Sequence, residues 1–207
     1  MLRGPFVYPI VDTAVCLTRG IDPLSAAEAC LLGGARIVQL RCKKGGSAIF
    51  LDLARRIADA AQRAGALFIV NDRADVAVLS GAHGVHVGQD DLAVEEARRI
   101  AGADAIVGLS THDPSQVDAG IGGPATYVAV GPIYRTATKD TGYSERGLDL
   151  VRYASGRGKP VVGIGGITLE RVPELVAAGV DGLAVISDLL ATGDPERRVR
   201  DYVQALG

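Results

Sequence analysis

Residues 160–187, PVVGIGGITLERVPELVAAGVDGLAVIS, decide the fold of this chain. The stretch contains two short apolar runs, 160–165 and 182–187, separated by a glycine-rich turn and a helical pattern. Apolar runs of this length that are joined by a helix are typical of neighbouring parallel strands buried on both faces. The segment therefore predicts a strand, a helix and a second strand, with the helix ending at Gly179.

The same pattern recurs along the chain, because each Val- and Ile-rich run is followed by polar or glycine residues and then by a helical pattern. The predicted strands are 6–11, 37–41, 67–72, 84–88, 105–110, 127–131, 160–165 and 182–187. Helix starts are predicted at Asp22-Pro23, Asp113-Pro114 and Asp194-Pro195, and helix ends at Gly33, Gly65 and Gly179, where glycine can adopt the left-handed conformation. Eight strands are the number that closes a barrel, so we predict an α/β fold with a single (β/α)8 TIM barrel over residues 1–207.

Composition excludes several classes of partner. The chain has 22 Lys and Arg against 24 Asp and Glu, a net charge of -2 that does not suit nucleic acid or an anionic membrane. No long apolar run or basic leader is present, and three scattered cysteines are typical of reduced thiols, so we expect a cytoplasmic protein. A homo-oligomer is compatible with the sequence, which does not determine the oligomeric state.

Polar residues at the end of the second predicted strand point to an anion. Strand ends of a β/α barrel converge on one mouth, and side-chain alternation places Gln39, Arg41 and Lys43 on the same side. Several donors on one side suit an anionic group. A solvated, charged loop is the alternative interpretation.

Carboxylates end the next two strands. Asp72 follows Asn71, and Asp91 closes the stretch after the fourth strand. Two oxygen ligands on neighbouring strands suit a Mg²⁺ ion that keeps several waters and also binds a diphosphate. The alternative is that these aspartates cap helices or pair with Arg73.

The fifth strand ends in Ser110 and His112, of which the histidine is expected to be structural. The loop 133–146 is long and polar and carries Lys139, so it could close over a bound anion. Glycines at the end of the seventh strand and residues 185–187 at the end of the eighth predict a cradle of backbone amides for a phosphate. Tight turns are the alternative role of those glycines. A phosphate cradle opposite a metal and diphosphate site suggests two phosphorylated substrates.

Seven motifs in order resemble those of the thiamine phosphate synthase family. They are QLRCK (39–43), ND (71–72), HVGQDD (86–91), GLSTH (108–112), GPIYRTATK (131–139), VGIGGI (162–167) and VIS (185–187), within a resemblance that spans residues 8–202. The resemblance implies a Mg²⁺-dependent transferase that moves a hydroxymethylpyrimidine group from its diphosphate to the nitrogen of hydroxyethylthiazole phosphate. Diphosphate leaves in a dissociative, carbocation mechanism.

The resemblance also implies residue roles. The pyrimidine diphosphate would be held by Gln39, Arg41, Lys43, Asn71, Ser110 and Lys139, among which Arg41, Lys43, Ser110 and Lys139 would be catalytic. The metal would be bound by Asp72 and Asp91. The thiazole phosphate would be held by Thr136, Ala137, Thr138, Gly166, Ile186 and Ser187.

Three other functions remain open from the sequence. A thiazole tautomerase on the same barrel would need no diphosphate site, so the presence of Lys43, Asp72, Asp91 and Lys139 disfavours it. A non-catalytic barrel that binds phosphorylated ligands would lack turnover. A sugar-phosphate isomerase would share the phosphate cradle but would not need two metal-binding carboxylates.

Overall fold

The computed structural model describes residues 4–135 and 144–207. Parallel strands pair in chain order, and the last pairs with the first through Phe6–Gly182 and the three residue pairs that follow, so the sheet is a closed barrel. The strands are β1 Phe6–Asp12, β2 Ile37–Arg41, β3 Leu67–Asn71, β4 Gly84–Val87, β5 Ile106–Thr111, β6 Tyr127–Val130, β7 Val161–Ile164 and β8 Gly182–Val185. The prediction of a single (β/α)8 barrel is confirmed.

Helices surround the barrel on its outside. They are α1 Thr13–Thr18, α2 Pro23–Leu32, α3 Ser47–Arg63, α4 Ala74–Ser80, α5 Val94–Ala101, α6 Pro114–Gly122, α7 Gly147–Ala154, α8 Val172–Ala178 and α9 Pro195–Ala205. Two 3-10 helices, Leu169–Arg171 and Ser187–Leu190, follow β7 and β8. Within residues 4–135 and 144–207, no helix combines the length and the apolar character needed to cross a bilayer.

The three predicted Asp-Pro helix starts are confirmed. The carboxylates of Asp22, Asp113 and Asp194 accept backbone N–H bonds from the third residue after each of them, at 2.9, 2.9 and 3.0 Å. Proline then occupies the first turn, where its missing N–H costs nothing. The sequence therefore predicts the positions of α2, α6 and α9 around the barrel through their N-terminal caps.

One predicted helix end has a different explanation. Gly65 and Gly179 adopt positive φ angles of 64° and 95°, as expected. Gly33 ends α2 as predicted, but it has φ -68° and the left-handed residue is Gly34, so only the conformation predicted for Gly33 is wrong. A Cβ on Gly33 would lie 2.5 Å from the Glu196 carbonyl oxygen, so glycine is needed there for close packing of α2 on α9.

Two apolar layers hold the barrel together. The larger lies between the strands and the helices, and the smaller fills the barrel interior. The buried interior residues are Phe6, Tyr8, Ile10, Ile37, Ile69, Tyr127, Ala129, Val162 and Ala184. Buried polar side chains of Gln39, His86 and Ser110 also belong to these strands. The barrel is therefore packed throughout, as expected for a (β/α)8 fold.

Gly33→Ala should lower the free energy of unfolding by about 2 kcal/mol, because the new methyl group must push α9 away. Urea unfolding followed by circular dichroism measures the change. Gly122→Ala is the matched control, since a Cβ at Gly122 meets no atom within 4 Å and helix propensity favours alanine. Equal stability of the two variants would show that the α2–α9 contact does not require glycine.

Candidate active site

A cluster of three charged side chains lies at the ends of β2, β3 and β4. Lys43 forms an ion pair with Asp72, and the Asp91 carboxyl lies beside that of Asp72. Asp91 Oδ2 also accepts a bond of 2.8 Å from the backbone N–H of Gly88. Asp72 has a positive φ of 64°, which is uncommon for a residue with a side chain. The structure thus brings Lys43, Asp72 and Asp91 together as predicted.

The electrostatics of this cluster favour a cation. Burial raises the pKa of Asp72, the Lys43 ammonium opposes that rise, and the neighbouring Asp91 carboxylate adds to it. Two adjacent carboxylates repel each other when both are ionised, and a divalent ion between them would remove that repulsion. The chemistry of this donor set therefore fits Mg²⁺, a hard cation that prefers oxygen ligands.

The structure does not give Asp72 and Asp91 their alternative roles, which were to cap helices or to pair with Arg73. Arg73 pairs with Asp75, at 2.6 Å, and not with Asp72. The N-terminal caps of α4 and α5 receive no side-chain hydrogen bond. Among the described residues no cluster of three or more His, Cys, Asp or Glu is placed to hold a metal. A cation bound here would therefore take its other ligands from water and from a substrate.

Arg41 is held by a buried carboxylate at the end of β1. Its guanidinium forms an ion pair with Asp12, whose side chain is only 3% exposed. The other Asp12 oxygen accepts the backbone N–H groups of Ala14 and Val15, at 2.9 and 3.1 Å, and so caps α1. Asp12 was not among the predicted site residues. Its signal in the sequence is the carboxylate at the end of a strand, directly before a helix.

Arg41 lines a cavity that reaches across the mouth to the predicted phosphate cradle. The cavity, of about 840 Å³, is lined by residues that include Asp12, Arg41, Arg135, Gly166 and Ser187. Ile186 is half-buried and packs on the apolar barrel interior. The cavity joins residues from β1, β2 and the turns after β7 and β8, which are far apart in sequence.

The turn after β7 requires two glycines. Gly165 and Gly166 have φ angles of 100° and 64°. A Cβ would lie 2.7 Å from Pro132 Cα in the first case and 2.8 Å from the Arg135 carbonyl oxygen in the second. Backbone without side chains allows an anion to approach its N–H groups closely, so the same turn would suit a phosphate. Because the turn alone already demands glycine, the phosphate cradle stays a prediction.

The part of the predicted cradle that follows β8 is held in place by α9, on the outside of the barrel. Asp188, in the 3-10 helix after β8, accepts two bonds from Arg198 of α9, at 2.8 and 3.0 Å. The Tyr202 hydroxyl donates a third bond to the same carboxylate, at 2.6 Å. A bidentate Arg–Asp pair has a defined geometry, so α9 fixes the position of the segment that begins at Ser187.

A chain of buried hydrogen bonds crosses the upper barrel interior. Gln39 Nε2 lies 2.9 Å from the Tyr8 hydroxyl, which lies 3.1 Å from that of Tyr127. The Tyr127 hydroxyl is 2.9 Å from His86 Nδ1, and His86 Nε2 is 2.9 Å from Ser110 Oγ. Two predicted site residues, Gln39 and Ser110, are therefore linked by three residues that were not among the predicted site residues.

The remaining predicted residues fall into two groups. Asn71 is buried at the end of β3, in register with His86 of β4. His112 is also buried and has a structural hydrogen bond, because its Nδ1 lies 2.5 Å from the Gly131 carbonyl oxygen and must donate to it. The predictions for Thr136, Ala137, Thr138 and Lys139 lie outside the described residues.

The closed barrel and the polar residues gathered at its C-terminal mouth define a (β/α)8-barrel enzyme. Comparison with known proteins is more specific. The family model described as thiamine monophosphate synthase matches residues 7–189. The chain is 40% identical over 203 residues to the thiamine-phosphate synthase of Laribacter hongkongensis, covering 97% of this chain and 95% of that one.

Two further relatives agree. The thiamine-phosphate synthase of Mycolicibacterium vanbaalenii is 47% identical over 185 residues, covering 84% of this chain and 83% of that one. The solved thiamine phosphate pyrophosphorylase from Pyrococcus furiosus superimposes with a TM-score of 0.88 at 27% identity, covering 97% of this chain and 94% of that one. The chain therefore belongs to the thiamine monophosphate synthase family and is a transferase of thiamine biosynthesis.

Asp12→Asn should lower the free energy of unfolding by about 2 kcal/mol, because Arg41 would lose its buried counter-ion while asparagine can still cap α1. Chemical denaturation measures the loss. Asp149→Asn is the control, because the Asp149–Arg152 pair is exposed and such pairs contribute little. If both variants unfold at the wild-type denaturant concentration, Asp12 does not hold Arg41 in the way described.

Proposed function

We propose that this transferase joins a hydroxymethylpyrimidine diphosphate to hydroxyethylthiazole phosphate, with Mg²⁺, and releases diphosphate. The observation that carries the proposal is the cluster of Lys43, Asp72 and Asp91 at the ends of three consecutive strands. Together they offer a divalent ion its carboxylates and a diphosphate its cation. The family membership of the chain agrees with the same reaction.

Two sites for phosphorylated groups follow from this arrangement. Lys43 would hold the diphosphate directly and Asp72 and Asp91 would hold it through the metal ion, while Arg41, at the end of the same strand as Lys43, would add a second cation. Gly166 and Ser187 line the cavity that Arg41 also lines, and their segment would hold the thiazole phosphate. A bond between the two substrates requires them to meet in one cavity, which supports assigning them to opposite sides of the same mouth.

The leaving diphosphate gains negative charge as its bond to the pyrimidine methylene breaks. Arg41 and Lys43 would stabilise that charge, more in the transition state than in the ground state. Bound Mg²⁺ would neutralise diphosphate oxygens and lower the barrier further. Asp72 and Asp91 are the residues that would hold it.

The bond-forming step needs little from the protein beyond orientation. The electron-rich aminopyrimidine stabilises the methylene cation, and the thiazole nitrogen supplies the electron pair that captures it. Because this nitrogen carries no proton, no general base is required. This agrees with His112 being occupied by the Gly131 carbonyl, since the mechanism assigns it no proton transfer.

The rival functions differ from this proposal in what they require. A thiazole tautomerase or a sugar-phosphate isomerase would have no use for the Lys43, Asp72 and Asp91 cluster. A non-catalytic barrel would bind both phosphorylated compounds without converting them.

The test is incubation of the protein with both substrates and Mg²⁺. We expect thiamine phosphate and diphosphate to appear in equal amounts, and chelation of the metal to stop the reaction. Binding of both compounds without product would favour the non-catalytic barrel. Conversion of a thiazole carboxylate phosphate alone would favour the tautomerase.

Asp91→Ala should lower kcat/KM by about a hundredfold or more and raise the Mg²⁺ concentration needed for half-maximal rate. The variant loses one of the two adjacent carboxylates, so the ion is bound more weakly. Steady-state rates over a Mg²⁺ titration measure both effects. Asp90→Ala is the matched control, because this neighbouring aspartate is exposed and is not among the charged groups that act on Asp72. Wild-type Mg²⁺ dependence of Asp91→Ala would remove Asp91 from the metal site.

Lys139→Ala should also lower kcat/KM by about a hundredfold or more, because an ammonium would be missing from the departing diphosphate. Lys44→Ala is the control for loss of a lysine near the mouth, since Lys44 is exposed beside Lys43. Steady-state rates at saturating Mg²⁺ measure the effect. An unchanged rate in Lys139→Ala would confine the anion site to residues of the barrel itself.

A further inference from the structure

The buried hydrogen-bond chain of the barrel interior, Gln39–Tyr8–Tyr127–His86–Ser110, has a direction. Gln39 turns its amide nitrogen toward Tyr8, so this nitrogen donates and the Tyr8 oxygen accepts. Tyr8 then has one proton, and the Tyr127 oxygen lies 3.1 Å away to accept it. Tyr127 in turn donates its hydroxyl proton to His86 Nδ1, which lies 2.9 Å away. His86 therefore carries its proton on Nε2, which donates to Ser110 Oγ.

Two features support fixed protons in this chain. Both tyrosines are fully buried, and burial raises the pKa of Tyr8 and of Tyr127 above the ordinary value, so each keeps its single hydroxyl proton. Gly108 of β5 leaves the space in which the Tyr127 hydroxyl and His86 meet. A Cβ at Gly108 would lie 2.3 Å from the Tyr127 hydroxyl oxygen and 2.5 Å from His86 Nδ1.

The two ends of the hydrogen-bond chain, Gln39 and Ser110, would meet a bound pyrimidine with opposite polarity. With its nitrogen engaged by Tyr8, Gln39 has its carbonyl oxygen as an acceptor. Ser110 Oγ accepts from His86, so its own proton is left to donate. An aminopyrimidine offers the matching groups, an amine that donates and ring nitrogens that accept. The 4-oxo counterpart replaces the amine with a carbonyl acceptor and therefore mismatches.

We propose that Tyr8, Tyr127 and His86 are positioning residues that set Gln39 as an acceptor and Ser110 as a donor, and so select an aminopyrimidine over its 4-oxo counterpart. The inference rests on the proposed function for its ligand. The direction of the chain does not depend on the ligand, so the two can be tested separately. A chain that ran the other way would make Gln39 a donor and would favour the 4-oxo compound.

The first experiment determines the His86 tautomer by ¹⁵N NMR of the ligand-free protein at neutral pH. The protein has three histidines, and the two other than His86 provide references. His83 Nδ1 accepts the Phe68 N–H at 3.1 Å, so its proton is on Nε2, whereas His112 Nδ1 donates to the Gly131 carbonyl. The histidine signal that disappears in His86→Gln belongs to His86. We expect His86 to match His83, and a match to His112 would overturn the proposal.

The second experiment measures ligand discrimination. Calorimetry with Mg²⁺ and without the thiazole phosphate gives the Kd of the aminopyrimidine diphosphate and of its 4-oxo counterpart. Tyr127→Phe interrupts the chain without altering Gln39 or Ser110, so His86 can change tautomer and Ser110 can turn its proton inward. We expect the ratio of the two Kd values to fall about tenfold, equivalent to about 1.4 kcal/mol.

Thr111→Val is the matched control, because it removes a buried hydroxyl on the neighbouring strand β5, which donates to the Ala129 carbonyl oxygen at 3.1 Å. Its ratio should equal that of the wild type, since a loss of stability alone does not change the preference. An unchanged ratio in Tyr127→Phe, or a wild-type preference for the 4-oxo compound, would overturn the proposal. If His86 has the expected tautomer but no thiamine phosphate forms in the assay, the proposed function and the ligand assignment are rejected. The direction of the hydrogen-bond chain is then still supported.

Discussion

The pairing of β8 with β1 is the interaction on which the rest of the molecule depends. It joins Phe6 to Gly182 and Pro9 to Val185, and it turns a twisted sheet into a ring without edges. Closure places the C-terminal ends of all strands around one opening, so residues from distant parts of the sequence come within reach of the same ligand. A Cβ on Gly182 would lie 2.5 Å from the Phe6 ring, so even this seam depends on a missing side chain.

Closure also divides the interior by chemistry. Apolar residues such as Ile37 and Ile69 fill the barrel, where they need only to match the available volume. Nearer the mouth, Gln39, His86 and Ser110 are buried with their polar groups hydrogen-bonded to one another through the tyrosines. An unsatisfied polar group at this depth would be destabilising, so the same bonds that stabilise the barrel also fix the orientation of Gln39 and Ser110, the groups proposed to meet the pyrimidine.

The fold could be predicted from the sequence because it depends on features that are visible in short stretches of sequence. Alternating apolar runs, Asp-Pro caps and glycine helix ends are each visible within a few residues, and all three caps occur where expected. Gly33 shows the limit of that reasoning. Its requirement comes from Glu196, a residue far away in the chain, and no local pattern contains that contact.

The candidate site was predictable to the extent that its residues lie at strand ends. Lys43, Asp72 and Asp91 meet because β2, β3 and β4 are neighbours in the barrel, as strand order implies. Tyr8 and Tyr127 could not be assigned in the same way. A tyrosine in an apolar strand has the pattern of a core residue, and only the three-dimensional register shows that its hydroxyl meets another polar group.

The pairing of Arg41 with Asp12 affects how the mouth behaves between turnovers. An isolated guanidinium at a cavity wall would attract any small inorganic anion of the surrounding solution. Here an internal carboxylate already compensates the charge, so a competing ion must disturb a formed ion pair to enter. A larger ligand with several points of attachment can offset that cost, so this ion pair disfavours simple salts more than it disfavours a ligand that binds elsewhere in the mouth as well.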